Sequence, residues 1–597
     1  MMEEKKTPEL TPDQLENFRK IEVARRDAMF SAEIAFGTKL HGMYLESYAH
    51  KQRIASQWDY FVQFTKGKQW PTRRPRYKVD AIINFVIENI ERKTALLTDA
   101  KPIPKVVPYK DSLQDTADIL NDLLRVIFQQ SEFDQANVDM ITNSQVFGSG
   151  FLETIYDRDA NNGKGDIRVV SCDPRAVNFD PLVPKSYLLG NGEFIVLEDI
   201  WALEKARDLF PERADMIRPD PGLSKFEAYQ GPGTFMARVS NILKLRDATI
   251  FKSEIPRVHM REFYMRDRSK ASGKLRFRNG SRKVVMAGSI IVMDGDNPYI
   301  DSEFPIDMLS WHTDFNTAWG WGDVELLRSP QELYNKIMAL VVENLTLTSN
   351  AIWIGDADAL DKDDWEKLNN KPGGYVKKKP GRELRREPGL GFPDYVLKVL
   401  EYLEKSKDTL TGMVDVMRGV RTGQVSSGVG IESLQLMAQA LVRLRSRSIE
   451  ALHARVGKKL ISRIFQYYEP DRIIEVLKLA NRDELYTTYE SELLKPIKER
   501  KLDWATELSF KIEPGSSLGM AKTQRRIESM RLREMQVIDD EALLNDLEYP
   551  HRDKVLKRVS QKRQDEANQE VAGQAQQGGK ATQFPAQANA SPAGRTK

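Results

Sequence analysis

The chain has 597 residues, 41% of them hydrophobic and 30% charged, with 90 Lys and Arg against 87 Asp and Glu for a formal charge of +3. That length has room for three or four cores of about 100–200 residues each, and the near-zero charge argues against a surface that grips nucleic acid everywhere, since such binding rests on phosphate neutralisation. A single cysteine, Cys172, excludes an intramolecular disulfide and suits a reducing compartment; with no secretory leader at the charged start and no run of about 18 apolar residues, a soluble protein made in a cytoplasm is expected.

Residues 12 to about 60 read as helix, rich in Ala, Glu, Lys and Arg. Trp58, Tyr60, Phe61, Phe64 and Trp70 then cluster around the break at Gly67 and Pro71. Aromatics this dense serve as core or subunit contact more often than as base-stacking platforms. A helix is predicted from Val79 to Leu97, and Lys101 to Pro108 is punctuated by prolines, so it is an edge strand or a linker. Helices follow over 112–130 and 134–146. From 147 to 310 the period changes. Phe151 to Tyr156, Ile167 to Val170, Phe194 to Ile200, Val258 to Met265, Lys274 to Arg278 and Val284 to Met293 read as strands, with turn signals at Asn161-Asn162-Gly163, Asn279-Gly280 and Asp294-Gly295. Glu204 to Phe210 and a segment around 233–247 add helices.

The stretch 326–468 organises the rest. Ser329-Pro330-Gln331-Glu332 has the form of a capping box with Pro330 at the first helical position. Leu333, Ile337, Val341, Leu345 and Thr348 then fall on one face, with Tyr334, Met338 and Leu340 beside it. The insert 351–393 is divided electrically. Residues 356–366 hold five aspartates and Glu366 against Lys362, while 371–386 hold Lys371, Lys377, Lys378, Lys379, Arg382, Arg385 and Arg386 against Glu383. Such a division suits head-to-tail contact between identical copies; two solvated charge runs are the alternative of equal weight. A second helix is predicted from Asp394 to Met417, with Val396, Val399, Leu400, Leu403, Leu410 and Val414 in phase. Gly419, Gly423, Gly428 and Gly430, with Gln424, Ser426 and Ser427 between them, make a loop able to change shape. From Ile431 to Tyr468 one long helix follows, its polar side holding Arg443, Arg445, Arg447, Arg455, Lys458, Lys459 and Arg463. Helices near 471–480 and 490–499, a strand over 507–512, helices over 522–535 and 540–560, and a Gln/Ala/Gly-rich tail expected to be disordered complete the chain. The fold class is α+β, mainly helical.

Catalytic chemistry has no support in the residues, and no cofactor or metal is expected. Gly578-Gly579-Lys580-Ala581 lacks the hydroxyl that a phosphate loop places on magnesium. Asp356 to Asp361 lacks the turn glycine of a calcium loop, so capping of a helix around Trp365 accounts for it better. The six histidines are scattered without metal-binding spacing.

Taken in order, these features resemble the portal proteins of tailed bacteriophages, nearest to those of short-tailed, podovirus-type phages. Phe64 to Trp70 resembles the family's early "G-x-Q-W" segment, and Asn84 to Thr98 with Lys101-Pro102 and Val107-Pro108 resembles the helix and extended element after it. Val146-Phe147-Gly148-Ser149-Gly150 with Glu153, Gly320-Trp321-Gly322 through Asn335, and Glu513-Pro514-Gly515-Ser516-Ser517 are similar to further family segments, so that the likeness spans roughly residues 50–560.

The resemblance implies a helical extension over 1–50, a wing over 51–325, stem helices at 326–350 and 394–417, a clip at 351–393, a tunnel loop at 418–430, a long helix returning to the wing at 431–519, crown helices at 520–564 and a tail at 565–597. It implies a dodecameric ring at one capsid vertex of the virion. Double-stranded DNA would pass through the ring without sequence specificity. The large terminase subunit, tail adaptor or neck proteins, and the major capsid and scaffolding proteins would be its partners, with no membrane involved. Lys377, Lys378, Lys379, Arg382, Arg385 and Arg386 would contact terminase, adaptor or a neighbouring subunit. Arg421, Gly423, Gln424, Ser426, Ser427 and Gly428 would border the channel, and Arg443, Arg445 and Arg447 would face DNA or an adjacent copy. The competing readings are a neck or scaffold protein that forms no ring and, less favoured for want of a phosphate loop, a packaging ATPase or nuclease.

Overall fold

The computed structural model describes residues 12–70, 72, 75, 78–99, 101, 102, 104–129, 131–220, 256–349, 352–365, 377–387, 393–412, 440–479, 491–512, 519–547, 555, 556 and 558–562. They belong to two units, Met1–Leu518 and Gly519–Lys597. The segments 233–247, 418–430 and 513–517 and the tail from 565 lie outside the described residues.

The first unit begins with helices Pro12–Ala55 (α1), Trp58–Thr65 (α2) and Phe85–Thr98 (α3). α3 starts six residues later than the periodicity predicts, because Asn84 caps it, its side chain accepting from Ile87 N at 3.3 Å. Strand Pro104–Pro108 (β1) and helices Gln114–Gln129 (α4) and Ser131–Phe147 (α5) follow. Strands Ser149–Asp157 (β2) and Asp166–Cys172 (β3) form a hairpin whose turn runs through Asn161, Asn162 and Gly163 at φ of 53°, 59° and 85°. Val177–Phe179 (β4), Phe194–Ala202 (β5), helix Leu203–Leu209 (α6) and Arg257–Arg266 (β6) come next.

Two strand readings change here. Of Lys274 to Arg278 only Lys274–Leu275 (β8) forms a paired strand, with Lys270–Ala271 (β7). The run Val284 to Met293 is a hairpin of Ser281–Ala287 (β9) and Ile290–Asp296 (β10), reversing at Gly288 with φ 59°. Strands β10-β9-β6-β5-β4 make one antiparallel sheet, and Ile306–Ser310 (β11) joins the other in the order β11-β2-β3.

Helix Asp323–Ser349 (α7) leads to strands Ile352–Gly355 (β12) and Leu384–Glu387 (β13), which pair antiparallel, and then to Asp394–Thr411 (α8). α7 begins six residues before the capping box that Ser329 to Glu332 suggests. Pro330 therefore lies inside the helix, and Glu332 accepts from Tyr60 and Arg328 instead of capping. α8 stops at Thr411, short of the predicted Met417, because Gly412 takes φ 72° and its N–H turns back to the carbonyls of Asp408 and Thr409. Helices Ala440–Tyr467 (α9) and Pro470–Leu479 (α10) follow. The helix predicted over 490–499 is two short turns on either side of Pro496. Strand Leu508–Ile512 (β14) pairs with β1, which makes the proline-bounded segment a true edge strand. The second unit holds helices Gly519–Glu534 (α11) and Asp540–Asp546 (α12).

Two cores dominate the first unit. Leu120, Leu124 and Phe128 of α4 pack with Leu452, Val456, Leu460 and Ile464 of α9 and Phe510 of β14. The aromatic cluster read from the sequence is core: Trp58, Phe61 and Phe64 meet Phe147, Phe151, Phe179 and Trp319. Each such side chain, fully buried, contributes roughly 1.5–3 kcal/mol or more of hydrophobic stabilisation. α1 lies on the five-stranded sheet through Leu40, with Phe36, Met43 and Tyr44 around it.

Candidate functional site

Three polar joints fix where α7 starts and which way it runs. In the first, Gly148 (φ 84°) and Gly320 pack backbone to backbone; a Cβ on Gly148 would stand 2.2 Å from the Gly320 carbonyl oxygen. Two glycine-containing motifs distant in the chain thus meet, which no side chain would permit. In the second, a set of amides links α2, α3 and α7. Asn335 donates to Gln69 Oε1 (2.7 Å), Gln69 donates to Asn84 Oδ1 (3.0 Å), and Gln331 donates to Asn335 Oδ1 (2.9 Å) and to the Ile83 carbonyl (2.7 Å). Gln69 is the glutamine of the "G-x-Q-W" segment, and its role here is structural.

The third joint centres on Asp323, the first residue of α7, which is fully buried. Its Oδ2 takes the Lys93 ammonium at 2.6 Å and Asn89 Nδ2 at 3.3 Å, and its Oδ1 stands 3.0 Å from His312 Nε2. On the far side of that ring, Arg445 Nη2 lies 2.6 Å from Nδ1, Arg445 Nη1 donates to the Trp311 carbonyl, and Trp321 stacks on the imidazole at 4.1 Å. Burial pushes the Asp323 carboxyl up, but the His312 hydrogen bond and the Lys93 charge outweigh it and hold the group well below the usual carboxylate range. Burial pulls Arg445 down, and Asp323 partly restores it.

Three further cations of α9 are engaged in the same way. Arg455 donates to the Met308 carbonyl (3.0 Å) and Asp307 (3.3 Å), and Lys459 donates to Asp307 (2.7 Å) and the Ile306 carbonyl (3.0 Å). Arg463 pairs with Asp301 over the Tyr299 ring, and Gln466 reaches the Pro298 carbonyl at 2.7 Å. A polar stripe that in sequence resembles a solvated face therefore bolts α9 to residues 298–312.

In the insert, the acidic and basic halves meet within one chain. Lys379 pairs with Asp361 at 2.8 Å, Arg382 pairs with Asp358, and Asp356 and Glu383 exchange backbone and side-chain hydrogen bonds at 3.0 Å. These pairs are exposed, with Lys379 at 47% and Asp361 at 73%, so they guide the pairing of β12 with β13 more than they stabilise it.

Comparison with protein-family models matches residues 42–595 to the family described as phage P22-like portal protein. The chain belongs to that family. No curated protein matches the chain. Three of the portal-family segments quoted from the sequence, those at Gly67 to Trp70, Val146 to Gly150 and Gly320 to Asn335, come together at these joints with Asn84 and the start of α7. Portal proteins are virion components made in the host cytoplasm, and the mixed α+β chain with its several small sheets is consistent with that architecture.

The site residues read from the sequence fall in three places. Lys377, Lys378, Lys379, Arg382, Arg385 and Arg386 are all exposed on the insert. Arg421, Gly423, Gln424, Ser426, Ser427 and Gly428 lie outside the described residues. Arg443 and Arg447 are exposed on α9, whereas Arg445 is half-buried and faces inward. Positions two apart on a helix cannot share a face, so grouping Arg445 with the other two is corrected. Leu444, placed on the buried face by periodicity, is 52% exposed beside them. Among the described residues of α7, Asp323, Val324, Leu327, Gln331, Tyr334, Asn335 and Ala339 are buried, while Leu333 and Leu345 are exposed. Sequence reasoning missed Lys93, His312 and Asp323; a His–x₁₀–Asp pair on either side of Gly320-Trp321-Gly322 was the only trace of them.

Proposed function

We propose that this chain is the portal subunit of a short-tailed, podovirus-type phage, and that twelve copies form a ring at one capsid vertex through which double-stranded DNA enters and leaves. In this reading 51–325 is the wing, 326–350 and 394–417 are the stem helices, 351–393 is the clip, 418–430 the tunnel loop, 431–519 the long helix and its return, and 520–564 the crown, between an N-terminal extension (1–50) and a tail (565–597). The clip would dock terminase during packaging and the tail adaptor afterwards. Scaffolding and major capsid proteins would surround the wing, and the chain would catalyse nothing itself.

The observation that carries the reading is the family match over 42–595. Two structural features support it. α7 and α8 pack side by side, Tyr334 donating to Glu404 at 3.0 Å, with the charged insert between them in sequence. Their outer faces expose Leu333, Leu340, Leu397 and Leu410 at 46–58%, apolar surface of the kind that a neighbouring copy covers. Electron microscopy of the purified chain tests the proposal: closed rings are expected, and a field of monomers or filaments in assembly buffer would sink it. ATP turnover by the pure chain would favour a packaging enzyme instead.

A further inference from the structure

The side of α8 that faces away from α7 carries a regular pattern that the contacts within the chain do not use. At 100° per residue, Tyr395, Lys398, Tyr402, Lys405 and Thr409 fall within an arc of about 80°, and all five are exposed, the two tyrosines at 67% and 69%. Leu400, Lys407 and Thr411, which are buried, lie on the reverse side. The Tyr–Lys pair repeats after seven residues, about 10.5 Å along the axis, so the stripe is roughly 21 Å long. Among the described residues neither tyrosine hydroxyl nor either ammonium has an ion-pair or hydrogen-bond partner. Glu401 borders the stripe; Glu404 and Asp408, further round, are engaged by Tyr334 and Lys407.

We propose that this stripe is a contact track for the backbone of double-stranded DNA, with Lys398 and Lys405 meeting phosphates, Tyr395 and Tyr402 donating their hydroxyls to phosphate oxygens, and no base read. It rests on the conduit reading above and assigns the residues that reading leaves open. A second copy of the chain is the weaker occupant, because the core of a protein interface is depleted in lysine, and the exposed leucines of α7 offer an apolar face for that purpose. Lysine is also the cation suited to a moving partner. It is a point charge on a flexible stem, without the fixed fork by which arginine clamps one phosphate. Two lysines per copy make the hold on DNA shallow, as passage requires.

The test uses the full chain with Lys398→Gln and Lys405→Gln together. Binding of a duplex of arbitrary sequence is followed against salt, and oligomeric state is measured in parallel. Each lost phosphate contact lowers the salt slope by about 0.9, so a drop of about 2 per bound chain is expected, with assembly unchanged. Lys270→Gln with Lys274→Gln, an equal charge loss on the exposed β7–β8 hairpin, should leave the slope as it was. Unaltered affinity and slope in the α8 variant would overturn the proposal whether or not rings form, as would an absence of duplex binding by the wild-type chain. Loss of assembly with normal DNA binding would overturn it in favour of a subunit contact. If the wild-type chain forms no rings, the conduit reading fails, while the slope difference still reports on the stripe.

Discussion

His312 Nε2 lies 3.0 Å from Asp323 Oδ1, and Arg445 Nη2 lies 2.6 Å from Nδ1 of the same ring. Arginine has no acceptor, so the lone pair must lie on Nδ1 and the proton on Nε2. One imidazole thereby couples α9, the long helix, to the first residue of α7, while Lys93 ties the same carboxylate to α3. Three helices share a single buried charge, so movement of any one of them disturbs the other two.

Asp323→Ala leaves Lys93 buried without its counter-charge and should cost about 3–5 kcal/mol, read as a large fall in the thermal unfolding midpoint. Asp323 is held below its unfolded pKa. Its contribution is therefore complete above about pH 4 and is lost as pH falls towards the folded value. Asp323→Asn should flatten that acid-side loss; an unchanged acid profile would remove Asp323 from the account.

His453 sits between Phe128 and Phe133, bonded to Asn137 at 3.0 Å, and burial, with Arg455 adding to it, pushes its imidazole down to about 3. The unfolded chain binds a proton below about pH 6.5 that the folded ring refuses, so stability declines from there down to about pH 3. His453→Gln keeps a partner for Asn137 and should be less acid-sensitive over that window, measured as unfolding midpoint against pH.

Gly148→Ala combines φ 84° with a backbone oxygen 2.2 Å from the new Cβ, and should destabilise by more than about 4 kcal/mol or abolish soluble expression. Gly42→Ala, within α1 and with nothing inside 4 Å of its Cβ, should instead gain up to about 1 kcal/mol. Equal midpoints for the two variants would contradict both statements.

Among the described residues, reversing Lys377, Lys378 and Lys379 to Glu breaks one exposed pair, Lys379 with Asp361, so folding should change by about 0–1 kcal/mol. Ring assembly or terminase docking should nevertheless fail, as seen by microscopy and a packaging assay. Normal rings with normal packaging would refute the assignment of this basic arc to a partner.

Deleting Gly423 to Gly428 should spare the rings and disturb packaging or DNA retention, since a glycine-rich segment suits a loop that rearranges. Rings lost on deletion would show the segment to be architectural.

By themselves, the residues were enough to determine the strongly periodic elements. α4, α5 and α9 follow from apolar spacing, the β2–β3 hairpin from Asn161-Asn162-Gly163, and the burial of Trp58, Phe61 and Phe64 from aromatic density, because period and turn chemistry are local properties. Tertiary structure alone decided which charges are surface and which are fastenings. Arg445, Arg455, Lys459 and Arg463 look like a solvated stripe until Asp301, Asp307, His312 and the carbonyls between them are brought alongside. Their partners precede them by more than a hundred residues, and helical periodicity carries no information about such a distance. The same holds for α7. Its local punctuation at Ser329 and Pro330 lost to Asp323, whose buried carboxylate is tolerated only because α3 and residue 312 supply its counter-charge and hydrogen bonds.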